Sequence, residues 1–147
     1  MSYGRSFEEL ETGRRFRHPL GRTITEFDDT LFSLMAMNQH PLHIDEHYAA
    51  ATQHGRRLVV GPLVISIVLG LTQSDIGGRS IQVLEYIDIQ HTGPVFHGDT
   101  LYAESIILAK QELDAKRGMV TVESQGLNQN REVVLTMKHR LVVERNP

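Results

Sequence analysis

The run Gly61-Pro62-Leu63-Val64-Ile65-Ser66-Ile67-Val68-Leu69-Gly70-Leu71 limits what this chain can fold into more than any other stretch. Proline at the start of a helix gives up only a backbone donor that would be unpaired there anyway, so Gly61 and Pro62 mark a good helix start. From Leu63 to Leu71 every residue except Ser66 and Gly70 is apolar, which leaves the helix no water-facing side. The run is far shorter than the ~20 residues that span a bilayer. Such a helix, reaching to about Asp75 and ended by Gly77 and Gly78, is expected to lie buried on nearly all sides within a wrapping of other elements.

The wrapping comes from the second half of the chain, where the apolar period changes from helical to two. Ile81, Val83, Ile87 and Ile89 alternate with mostly polar residues, and Val133, Leu135, Met137, Leu141 and Val143 repeat the pattern near the C-terminus. Leu101 to Leu113 and Met119 to Leu127 supply two further strands. Asp114 to Gly118 and Asn128 to Asn130 carry turn chemistry, so the last strands read as a meander of antiparallel hairpins. A weaker strand is expected around Arg14 to Ile24. Period and composition support an α+β domain without choosing among its folds; the architecture they suggest, a sheet curved round one apolar helix, is the one called a hot dog, an antiparallel sheet wrapped around a central buried helix.

Shorter helices precede the apolar one. Thr25 and Asp28 have the spacing of a capping box, and Phe27, Leu31, Leu34 and Met35 then share one face of a helix over Glu26 to Met37. Pro41 interrupts the pattern. Asp45 is placed to cap a second helix, Glu46 to Gln53, closed by His54 and Gly55, which leaves Asn38 to Ile44 as a loop. No repeat or linker divides residues 1–147, so one domain is expected.

Composition excludes several classes. A net charge of -3 gives no footprint for nucleic acid. The absence of cysteine removes disulfides, thiolate metal sites and cysteine nucleophiles. The N-terminus lacks the apolar core of a signal peptide, so a cytoplasmic protein without membrane attachment is expected.

The chemistry concentrates in Asn38-Gln39-His40-Pro41-Leu42-His43-Ile44-Asp45. An imidazole titrates near neutrality and suits proton transfer, although a buried or capping histidine looks the same in sequence. His43-Ile44-Asp45-Glu46-His47 also matches the zinc-protease string H-x-x-E-H. Pro41 and a cap at Asp45 would place His43 before the helix and His47 within it, off a shared face, so no metal site is expected. His18, His54, His91, His97 and His139 have no usable spacing and read as structural or surface residues. Lys110, Lys116 and Arg117 stand near a hairpin, where solvated turn charges are the commoner reading.

The ordered string N-Q-H-P-L-H-I-D, Tyr48-Ala49-Ala50, His54-Gly55, Val60-Gly61-Pro62 and Gly93-Pro94-Val95-Phe96-His97-Gly98-Asp99-Thr100-Leu101 resembles the MaoC-like family of (R)-specific enoyl-CoA hydratases. The resemblance implies that His43 is the acid/base residue, that Gly61 and Pro62 form the oxyanion site at the helix start, and that Ser66 lies near the acyl pocket. Where the family has an Asp this chain has Asn38, and His40 stands where the family has Asn. His40 or Asp45 is then a candidate replacement base, with help from the substrate's own carboxylate as the other reading. The paired change resembles the branch acting on mesaconyl-CoA or itaconyl-CoA, whose second carboxylate calls for a cation, with His40, Arg56, Arg57 and Arg22 as candidates. The implied protein is a homodimer or dimer of dimers acting on an acyl-CoA, with no cofactor beyond the CoA of its substrate. A thioesterase using Asp45 or Glu46, and a noncatalytic acyl-CoA-binding relative, are the alternatives.

Overall fold

A computed structural model describes residues 3–146. Its elements run β1 (Arg15–Arg17), β2 (Arg22–Thr23), α1 (Glu26–Met35), α2 (Pro41–Ile44), α3 (Glu46–Ala50), α4 (Gly61–Thr72), β3 (Ser80–His91), β4 (Thr100–Glu112), β5 (Arg117–Leu127) and β6 (Val133–Glu144). The sheet is antiparallel, in the order β1-β4-β5-β6-β3, with β2 also paired to β4. Helix α4 packs across its inner face, in the hot-dog arrangement.

The meander forms as expected because its turns satisfy their own backbone. Asp114 Oδ1 accepts from the N–H groups of Lys116 and Arg117 at 2.8 and 2.9 Å. Asn128 Oδ1 accepts from those of Asn130 and Glu132 at 2.9 and 3.1 Å. Between the turns, Leu101, Ala103, Ile107, Val120, Val122, Leu135, Met137, Leu141 and Val143 bury one side of each strand. Two apolar clusters result, one around α4 and one under the N-terminal Phe7 and Leu10. A polar network of buried His18, Ser105 and Ser124 with half-buried Asp75 adds directional bonds: His18 Nδ1 lies 2.9 Å from Asp75 Oδ2 and Nε2 lies 3.0 Å from Ser105 Oγ.

Several expectations need correction, and α1 and α4 also end early, at Met35 and Thr72 rather than Met37 and about Asp75. Residues Pro41–Ile44 are helical rather than loop, because proline at the first turn is tolerated and His40 caps the helix through its ring. Helix α3 stops at Ala50, short of Gln53. The apolar stripe of α1 faces outward: Phe27, Leu31, Leu34 and Met35 are exposed, whereas Asp29 and Ser33 are fully buried. Helix α4 buries Leu63, Val64, Val68 and Thr72, each apolar side chain worth roughly 1.5–3 kcal/mol, but leaves Pro62, Ser66 and Gly70 uncovered on its other side. No helix among the described residues is long and apolar enough to cross a membrane.

Candidate active site

The Thr25–Asp28 capping box starts α1, with Asp28 N–H donating to Thr25 Oγ1 at 3.2 Å and Thr25 N–H to Asp28 Oδ2 at 2.8 Å. One residue on, Asp29 points inward. Its Oδ1 accepts from Val60 N–H at 2.9 Å and its Oδ2 from His97 Nε2 at 2.7 Å. A fully buried carboxylate without donors would be costly. Here it clasps α1, the residue that opens α4 and the loop before β4. Sequence reading passed over both partners, since each bond spans many residues and neither residue belongs to a local motif.

The segment before α4 is pinned residue by residue. Leu58 N–H donates to Leu42 O at 3.2 Å and Val59 N–H to Val95 O at 2.9 Å, while Val60 is held by Asp29. His43 Nδ1 lies 2.6 Å from Leu58 O. A carbonyl only accepts, so Nδ1 carries the proton and donates, which leaves the Nε2 lone pair of the neutral ring free. At the first turn of α4 Pro62 has no N–H, Leu63 N–H is taken by Val60 O at 3.0 Å, and Gly61 N–H is unpaired among the described residues. Unpaired donors at a helix start present positive potential.

These groups meet at one cavity of about 210 Å³, lined by His43, Leu58, Val59, Gly61, Val64, His91, Gly93, Pro94 and Val95. His43 and Gly61, expected from the sequence, thus share a small and mainly apolar space. His91 shares it too, and was not expected there. Its ring is packed so closely on Gly61 that a Cβ on the glycine would lie 2.8 Å from His91 Nε2.

The other sequence candidates lie elsewhere. Asn38 Oδ1 accepts from His40 N–H at 3.2 Å, within the turn that follows α1. His40 Nδ1 accepts from Leu42 N–H at 3.1 Å, its ring centroid 5.9 Å from that of His43. Asp45 caps α3 by accepting from Tyr48 N–H at 2.9 Å. Ser66 Oγ donates to Pro62 O at 2.9 Å on the uncovered side of α4. Arg57 is clamped between Glu26 at 2.7 Å and Glu46 at 2.6 Å. The hydrogen bond that Arg57 donates to Glu26, opposed by burial and reinforced by the one to Glu46, raises the Arg57 pKa above its ordinary value. Arg22 is held by Asp28 at 2.7 Å. Arg56, by contrast, lies 3.8 Å over the Phe96 ring, beside a cleft that shares Gly93 and Pro94 with the His43 cavity.

Comparison with known proteins identifies the family. The profile of the MaoC-like domain matches residues 7–128. Mesaconyl-CoA hydratase of Cereibacter sphaeroides is 30% identical over 97% of the chain, and beta-methylmalyl-CoA dehydratase of Chloroflexus aurantiacus is 34% identical over 98%. The chain spans 42% of the length of each of these relatives. The crystal structure of a MaoC domain protein from Chloroflexus aurantiacus superposes with a TM-score of 0.94 at 31% identity, covering all of this chain and 42% of that one. The chain belongs to the MaoC-like domain family.

Proposed function

We propose that the chain adds water to, or removes it from, the double bond of a CoA-linked acyl chain. The observation that carries this reading is the shared cavity in which His43 offers a free ring nitrogen and Gly61 a free N–H. Hydration of a 2-enoyl thioester needs a base for the attacking water and donors for the enolate oxygen that develops as the β-carbon is attacked. His43 Nε2 takes the water proton, and Leu58 O holds the ring in the required tautomer. The thioester oxygen rests on Gly61 N–H, at the positive end of α4. The chemistry is proton transfer alone, with CoA present only as part of the substrate.

Support for a branched, dicarboxylic acyl group comes from the two relatives, named for mesaconyl-CoA and beta-methylmalyl-CoA. A second carboxylate needs a cation. Arg57 and Arg22 are already paired with carboxylates, whereas Arg56 forms no ion pair among the described residues and lines the cleft that adjoins the cavity at Gly93 and Pro94. Arg56 is therefore the cation of choice. The thioesterase alternative is less favoured, since no carboxylate among the described residues lines the cavity and its candidates are engaged elsewhere, Asp45 as a cap and Glu46 with Arg57.

A homodimer is part of the proposal. Strand β3 is an edge of the sheet, and Ile81, Val83, Leu84, Tyr86 and Ile89 along it are exposed. An unpaired edge of this kind is a template for strand addition, and a second copy would cover it.

The test is a panel of 2-enoyl-CoA and unsaturated dicarboxyl-CoA thioesters, followed by the absorbance of the conjugated double bond and by release of free thiol. Loss of the double bond with the thioester intact is the expected result. Thiol release without hydration would replace this reading by the thioesterase, and silence across the panel would leave an acyl-CoA-binding protein.

A further inference from the structure

His91 closes β3, where its Cα partner on β6 is Leu135. Cross-strand partners point to the same side of a sheet, and Leu135 is fully buried against α4. His91 therefore lies on the inner side of the sheet at the start of that helix, with its ring against Gly61 and part of its side chain still open to solvent. Just before it the register slips between Ile87 and Gln90, and Asp88 adopts a φ of 51°. A bulge of this kind re-aims the side chains that follow it, and here it brings an imidazole onto Gly61.

Adding water to a conjugated thioester requires two proton movements: one leaves the water, the other arrives at the α-carbon. Of the described residues lining the cavity only His43 and His91 can carry a proton, and no described carboxylate or permanent cation lines it. The two rings are placed differently. His43 is tethered to Leu58 O, whereas the His91 ring has no hydrogen-bond partner among the described residues and leans on the glycine whose N–H would hold the thioester oxygen. The α-carbon is bonded to the carbonyl carbon bearing that oxygen, so a group against Gly61 sits at the α-carbon end.

Resting on the hydratase reading, we propose that His91 is a second catalytic residue, the acid that protonates the α-carbon. The water oxygen bonds to the β-carbon as His43 Nε2 takes a water proton. The π electrons move onto the thioester oxygen at Gly61 N–H, and the enolate collapses as its α-carbon takes the Nε2 proton of His91 imidazolium. One water has then been added, His43 has gained a proton and His91 has lost one. Exchange with solvent resets both rings.

His91→Gln and His91→Phe decide the matter, assayed on whichever thioester the wild-type protein hydrates. In the hydration direction the acid must start protonated and the base unprotonated, so the wild-type pH profile of kcat/KM is expected to fall on both sides. Each variant is expected to lose about 10²- to 10⁴-fold in kcat, to bind the same thioester within about threefold of wild type, and to lose the alkaline limb while keeping the acid one. A kcat within about threefold of wild type, or an alkaline limb that persists, overturns the role of His91 and leaves the hydratase reading standing. A wild-type protein that hydrates no thioester overturns both.

Discussion

Strands β4, β5 and β6 and the edge strand β3 belong to one sheet but obey different rules. In the meander almost every residue is paired, burial alternates with period two, and the inward side chains are mostly apolar, with Ser105, Ser124 and His139 the buried polar ones. Strand β3 is paired on one side only, its register against β6 slips at Ser80/Gln82, Val83/Glu85 and Ile87/Gln90, and its apolar residues are largely exposed. Counted by partner, the residues that face inward are Ser80, Val83, Tyr86 and His91. Regular pairing concentrates stability in the meander, while the irregular edge brings an imidazole to the cavity and leaves its outer side unpaired among the described residues.

If that division holds, damage to the two regions should read out differently. The largest stability effect belongs to the meander: Leu135→Ala empties a fully buried site between α4 and the sheet and is expected to cost about 2–5 kcal/mol in a denaturant titration. A loss below about 1 kcal/mol would mean that the region relaxes around the cavity.

His139, on β6 and opposite Tyr86, sharpens the contrast through pH. Burial pushes its pKa down from 6.5 to about 4, and its Nδ1 has no partner among the described residues. The neutral ring is favoured in the folded state, so the unfolded chain takes up the proton first as pH falls. Full stability is present above pH 6.5 and is lost as the pH drops through about 4, a change on the order of 3 kcal/mol. His139→Leu is expected to flatten melting temperature across that window, and an unchanged slope would assign the acid sensitivity to another group.

The smallest intramolecular effect belongs to the edge. Leu84→Lys on β3 alters an exposed side chain and is expected to change the stability of a single copy by under about 0.5 kcal/mol, while shifting sedimentation from dimer to monomer. A dimer that survives the lysine would place the interface elsewhere.

The same contrast explains what could be read in advance. The meander, the Gly61-Pro62 start of α4, the Thr25–Asp28 box and the cap at Asp45 all depend on residues within a few positions of one another, and all were legible. The outward face of α1 was not, because its inward side is set by Asp29, whose donors Val60 and His97 are remote in sequence. A polar residue with distant partners cannot be told from a solvated one by periodicity. His43 and Gly61 were legible as a motif, but His91 was hidden behind a bulge that no count of alternating residues reveals.

The most direct test of a proton-shuttling imidazole in this cavity is the turnover of His43→Gln on a hydrated thioester, measured beside its binding of that thioester and its melting temperature. A fall of about 10²- to 10⁴-fold in kcat with binding and melting preserved is the expected result. Turnover equal to wild type would remove His43 from the chemistry and contradict the mechanism.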